Sequence, residues 1–345
     1  MTRHLFGFAC VCALGFLPLV GCGDNNGGGG SGGTAGTGGT GGSTGQAFPC
    51  TEQGIRDAIA EGGGPHTFAC SGPTTVVTDQ EIVIDRDVML DGGGNLRVDG
   101  DSDHTVFSVA GGVRAELEGI KVTGGNGTWA GGIHNNEDGL LILVDCTVSG
   151  NTGVSGGGIS SLGQLTILHS TISGNTANIG GGILNSADDL ASIQRSTISG
   201  NTADFNGGAI ANNRGLLILQ DVTIAANQTV VPLGDDLVTG GTVSMRNTLF
   251  EGTCTPVPVD SEGGNIESPG NTCGLDESEG DQIDISPQAL GLGPLQDNGG
   301  LTETHGLREG SVAIDAVACI NPTDQRGVSR PQGVGCDVGA FELEQ

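Results

Sequence analysis

Gly-Gly-Gly-Ile at 156–159 and 180–183 alternates with Ser-Thr-Ile-Ser-Gly-Asn at 170–175 and 196–201. Both phrases drift on either side, to Ala-Gly-Gly-Ile (130–133) and Gly-Gly-Ala-Ile (207–210), and to Cys-Thr-Val-Ser-Gly-Asn (146–151) and Val-Thr-Ile-Ala-Ala-Asn (222–227). The closing asparagine falls at 151, 175, 201 and 227, a period of 24 and then 26 residues. Short β-rich phrases repeating at that length predict a solenoid, in which each turn covers the one before it.

Aligning the turns assigns their faces. Alternation along a strand sends four columns inward. They are Leu141/Leu165/Ala191/Leu217, Leu143/Ile167/Ile193/Leu219, Cys146/Ser170/Ser196/Val222 and Val148/Ile172/Ile198/Ile224. The chain bends between the second and third columns, at Val144-Asp145 in the first turn. Outward columns carry Thr147, Thr171, Thr197 and Thr223, continued by Thr248, beside Ser149, Ser173 and Ser199. This predicts a flat polar face suited to polysaccharide or ice. Asn151, Asn175, Asn201 and Asn227 read as a structural ladder, each amide bonding its neighbours and the turn backbone.

Composition agrees with many short strands and tight turns. The 345 residues include 67 Gly, one Trp and no Tyr. The net charge is −28, which argues against nucleic acid or an anionic surface as a partner.

Residues 1–21 read as an export signal, with Arg3 before a short apolar stretch from Leu5 to Val20. Residues 22–47, rich in Gly, Ser and Thr, read as a coil spanning about 25–30 Å. The segment 48–73 is expected to cap the solenoid, with Ile55, Ala58 and Ile59 on one face of a short helix over 51–61. The β-helix itself is placed at 74–250, an irregular acidic coil at 251–294 and a C-terminal module at 295–345. Export makes disulfides plausible, and proximity pairs Cys50 with Cys70, Cys254 with Cys273 and Cys319 with Cys336. Cys146 is left as a buried thiol.

Four resemblances sharpen this. Leu19-Val20-Gly21-Cys22 resembles the lipobox of bacterial lipoproteins, which implies lipidation of Cys22 and a membrane as partner. The phrase from Ile82 to Gly125 resembles the early coils of pectate-lyase-like right-handed parallel β-helices. The alternating phrases are similar to the repeats of polymorphic outer-membrane proteins, with Val148, Ile172 and Ile198 where that family has Phe. The C-terminal stretch resembles the choice-of-anchor Q domain. The matching pieces are Asp297-Asn-Gly-Gly-Leu-Thr, Thr304-His305, Gly310-Ser-Val-Ala-Ile-Asp315, Asp324-Gln-Arg-Gly327, Arg330-Pro331 and Asp337-Val-Gly-Ala-Phe-Glu342. Together these imply an all-β, right-handed parallel β-helix with a short N-terminal capping helix and a small disulfide-stapled C-terminal module. No sorting signal follows Glu342, so anchoring falls to Cys22, at the outer membrane or cell surface.

Candidate chemistry is sparse. Asp145, His169, Arg195, Asp221 and Arg246 form an ionisable outward column, read first as a solvated charge ladder and second as a surface site. Lys121 stands alone. Asp188-Asp189 and Asp235-Asp236 lie in turns with no acid one turn away. The acids of 276–284 are a loose Ca²⁺ candidate, better read as a solvated loop, and no other cofactor or metal is expected. Asp315, Asp324, Arg326, Arg330 and Asp337 are expected to pair within the C-terminal module. The expected molecule is non-enzymatic, a shaft with a lipid tether at one end and the module at the other, serving surface display, adhesion or polysaccharide contact. The alternatives are a polysaccharide lyase or glycoside hydrolase and a purely structural envelope spacer.

Overall fold

A computed structural model describes residues 47–231, 236–255 and 259–345. The expected signal segment, Cys22 and nearly all of the tether lie outside them, as does Asp235. The described chain is an all-β parallel solenoid of about seven turns. A representative turn runs through Leu140–Val144, Thr147–Ser149, Thr152–Gly153 and Ile159–Ser161. The first two lie in one 16-stranded sheet, the third in a five-stranded sheet and the fourth in an eight-stranded sheet. Within all three, strands pair in parallel with the equivalent strand of the next turn.

Side-chain size and polarity explain the winding. Leu141, Leu165, Ala191 and Leu217 are paired in register, as are Val148, Ile172, Ile198 and Ile224. All are buried in one continuous core, and each large aliphatic side chain contributes about 1.5–3 kcal/mol on burial. Ser170 and Ser196 also point inward without loss, because their hydroxyls accept from Cys146 N (3.0 Å) and Ser170 N (3.1 Å) and donate to Leu168 O and Gln194 O (both 2.7 Å). Among the described residues Cys146 is the free cysteine, and burial pushes its thiol up to about 12, so it packs as a small inert group.

The asparagines close each turn from inside. Asn151 Nδ2 donates to Asn175 Oδ1, Asn175 Nδ2 to Asn201 Oδ1 and Asn201 Nδ2 to Asn227 Oδ1, each at 2.9 Å. The same oxygens accept from the backbone N of Asn151, Asn175 and Asn201 at 3.0 Å. Each amide also donates back one turn, to Val122 O, Val148 O, Ile172 O and Ile198 O. Three backbone N–H groups and four carbonyls at the turn ends thereby gain side-chain partners.

The ends are sealed. Glu52–Glu61 is helical, with Thr51 as N-cap accepting from Gly54 N (3.1 Å), and it buries Ile55, Ala58 and Ile59 on the first turns. Cys50–Cys70, Cys254–Cys273 and Cys319–Cys336 are disulfide-bonded. Past Phe250, Ile266–Ser268 adds a partial turn on Leu249–Glu251. Leu292–Gln296 and Thr304–Leu307 then form an antiparallel pair. A second apolar cluster joins Leu290, Leu307, Val338 and Phe341 of the C-terminal segment to Leu249 and Ile266 of the solenoid.

The C-terminal module does not continue the shaft from its far end, as the sequence suggested. It folds back along the flank and covers the threonine column. Thr147, Thr171, Thr197 and Thr223 are only 8%, 0%, 0% and 2% exposed. Thr171 Oγ1 donates to Glu303 O (2.6 Å), Thr197 Oγ1 to Gln325 Oε1 (2.7 Å), and Thr223 Oγ1 accepts from Ala340 N (3.0 Å). Ser199 bonds His305 Nε2 (2.8 Å). Hydroxyls spaced by the turn repeat gave the C-terminal segment a polar surface to bond, and it took that surface from solvent.

Candidate functional site

The outward column is a line of corners. Gly119, Asp145, His169, Arg195, Asp221 and Asn247 all turn the chain through the left-handed region, with φ of 57°, 51°, 49°, 44°, 52° and 47°. Gly119 takes that conformation freely and has no room for more, since a Cβ there would lie 2.8 Å from Gly94 N. Side chains at the later corners accept a backbone strain of order 1 kcal/mol or more, and stacking on both sides holds them in it.

Two sequence assignments shift by one residue. Arg246 pairs with Gln220, so Asn247 takes the sixth corner and Arg246 is not in the column. Likewise Leu249, not Thr248, pairs with Thr223, and Thr248 is fully buried beyond Val222. The period stays at 26 there, and matching residue type instead of spacing misplaced both.

The structure buries Asp221 and leaves Asp145, His169 and Arg195 half-buried instead of fully solvated. The side chains of Asp221 and Arg330 are each 1% exposed, with Asp221 Oδ1 3.5 Å from an Arg330 Nη and Asp221 Oδ2 accepting from Asn321 Nδ2 at 2.6 Å. Arg330 Nε also lies 3.3 Å from Glu342 Oε2, and an Nη donates to Gly339 O (2.7 Å). Burial raises the pKa of Glu342 despite Arg330 beside it. Arg195 reaches Thr323 Oγ1 at 3.4 Å. Burial and the Arg195 charge push His169 down to about 4, so it is neutral at pH 7 and its 3.8 Å approach to Asp145 is no ion pair. Burial raises Asp145 in turn, while Arg195 opposes that shift.

Within the module, Arg326 pairs with Asp324 (2.7 Å) and its guanidinium carbon lies 3.8 Å from the Phe341 ring centre. Among the described residues neither Asp337 nor Asp315 forms an ion pair with an arginine. Asp337 accepts from Asp315 N (2.8 Å) and Leu343 N (2.7 Å), and Asp315 from Gly335 N (3.1 Å). Gln325, missed in the sequence, bonds across from the module, its Nε2 donating to Thr171 Oγ1 (2.9 Å) and Thr302 Oγ1 (2.8 Å). Its signal was weak, since it lies 154 residues from its partner outside any repeat.

A cleft remains at the Asp145 corner. Lys121, Asp145 and Thr147 of the solenoid face Asp297, Leu301 and Glu303 of the module across a cleft of about 250 Å³. Lys121 lies one strand from Thr147 and pairs on its other side with Arg97. The lysine that stood alone in the sequence therefore shares a cleft with three acidic residues, Asp145, Asp297 and Glu303.

The acids of 276–284 are partly structured, contrary to a solvated loop. Asp281 is buried, with Oδ1 accepting from Asn265 N (2.8 Å) and Oδ2 from Ser261 Oγ (2.7 Å), so it ends a hydrogen-bond ladder. Asp188 is an exposed acid 3.7 Å from Arg214. Among the described residues no group of three or more His, Cys, Asp or Glu is arranged to hold a metal ion. The chain matches no protein-family model, no curated protein and no solved structure.

Proposed function

We propose that the protein is a non-enzymatic extracytoplasmic lipoprotein that presents a β-helix for surface display, adhesion or polysaccharide contact. One observation carries this reading: past the Asp145 corner the ionisable column is covered by the C-terminal module, Asp221 by Arg330 and Asn321 and Arg195 by Thr323. The lipobox-like Cys22 and the polar tether after it would fasten the solenoid to a membrane, and the likeness to the choice-of-anchor Q domain is consistent with an exported surface protein. Incubating the mature protein with acidic polysaccharides and Ca²⁺ should release neither unsaturated products nor new reducing ends. Turnover in that assay would overturn the non-enzymatic reading. Palmitate labelling in a bacterial host should disappear in Cys22→Ala, and persistent label would remove the anchor.

The Lys121–Asp145 cleft favours a second reading, a polysaccharide lyase or hydrolase. Under it Lys121 is the base, and any turnover would vanish in Lys121→Met. Empty glycan and cell-binding assays would leave a structural spacer.

A further inference from the structure

We infer that the edge formed by the third strand of each turn, with the loop after it, docks a neutral polysaccharide. This rests on the glycan-contact reading above and gives that reading a place and a ligand class. The threonine column is already occupied by the module, so contact must use another face.

Trp129, Val154, Ile179, Phe205 and Val230 stand at this edge on five successive turns, 61%, 48%, 40%, 53% and 65% exposed. Single exposed apolar residues are ordinary on a soluble protein, but these recur once per turn. Beside them Asn126, Thr152, Thr176, Thr202 and Gln228 stack in parallel register. An irregular row of apolar groups, in which Ile179 lies level with Ser155 and Asn206, thus runs beside a ladder of amides and hydroxyls repeating at about 4.8 Å.

A polysaccharide chain has matching parts. Its ring C–H faces lie against aromatic and aliphatic side chains, and its hydroxyls bond neutral donors and acceptors at the ring edge. Charge selects the class. In segments 126–130, 152–156, 176–180, 202–207 and 228–231 the one charged residue is Asp204, although the chain carries a net −28. The strip has no cation to draw a polyanion and little charge to desolvate under a neutral polymer. Trp129 is already placed, its ring stacked on His134 with centroids 6.3 Å apart and planes at 20°. A fixed ring loses little side-chain freedom on binding.

Trp129 is the only Trp of a chain without Tyr, so its fluorescence reports on this strip alone. The full-length protein would be titrated with hydroxyethylcellulose, laminarin and, as the acidic control, polygalacturonate. The expected result is a blue-shifted, quencher-protected Trp129 with a neutral glucan. Affinity electrophoresis should show binding weakened by about tenfold or more in Phe205→Ser/Val230→Ser, with Trp129→Phe close to wild type and both variants unfolding like wild type. Binding of polygalacturonate alone, or neutral-glucan binding with Trp129 and the double variant unaffected, would overturn this inference while leaving glycan contact standing. No binding to any polysaccharide would remove both. A dimer in sedimentation that Phe205→Ser/Val230→Ser dissolves would make the strip a self-interface and overturn the inference.

Discussion

Arg330 joins two parts of the chain that the sequence keeps apart. Its guanidinium faces Asp221 on the solenoid and Glu342 near the C-terminus, all three side chains out of solvent. Arg330→Met would leave two buried carboxylates without their counter-ion, a loss of roughly 3–5 kcal/mol. Thermal unfolding should show it, and Asp221→Asn in the same chain should restore part of the loss. An unchanged Tm would mean the pair contributes nothing. His169 adds a pH dependence with a definite sign. Its folded pKa of about 4 lies below the ordinary 6.5, so the unfolded chain takes the proton first as pH falls. The stability tied to a neutral His169 is complete above about pH 6.5 and is lost progressively towards pH 4. His169→Gln should flatten unfolding free energy across that window, and an identical slope in the variant would refute the assignment. Residue types at the corners could be read from the repeat, but not their partners. Asn321 and Asp221 are 100 residues apart, and no periodicity links them.

The asparagine ladder shows how local chemistry becomes an element. Every Asn–Asn bond points the same way, from the amide nitrogen of one turn to the amide oxygen of the next. Aligned bonds in a dry interior polarise one another, so the middle should matter more than the end. Asn175→Ala strands the backbone N of Asn151 in the interior. Each such unpaired group costs about 1–3 kcal/mol. Asn227 is half-buried and ends the run, so Asn227→Ala should cost clearly less in a denaturant titration. Equal losses would show that the amides act independently. The interior columns and this ladder were readable because their spacing repeats at 24 to 26 residues. The slip at Arg246 and Thr248 came where similar residues stood one place out of step. A one-residue shift reverses the side of a strand on which a side chain lies.

A solenoid ordinarily holds together turn by turn, each touching only its neighbours. Here the segment after Leu292 bonds to Thr171, Thr197 and Thr223, on three successive turns. That bracing makes the whole molecule more cooperative than its repeats alone. The Cys319–Cys336 bond, closing a separation of 17 residues, fixes the brace. Replacing both by Ser should lower stability by about 3 kcal/mol and broaden the unfolding transition, which calorimetry would register. A transition of unchanged width and midpoint would argue that the brace is independent of the disulfide. The module's composition was visible in the sequence, but its position was not. An outward threonine column looks the same whether water or protein lies against it.

Those threonines also bear on how the protein is made. Synthesis proceeds from the N-terminus, so the turns can stack before their cover exists. Until the last fifty or so residues emerge, Thr171, Thr197 and Thr223 face water that bonds their hydroxyls. Valine, of the same shape and equally suited to strands, would give the finished molecule a greasier joint. It would also give the nascent chain an apolar flank open to its neighbours. A hydroxyl stripe lets an unfinished solenoid wait in water and still hold its final segment tightly when that segment arrives.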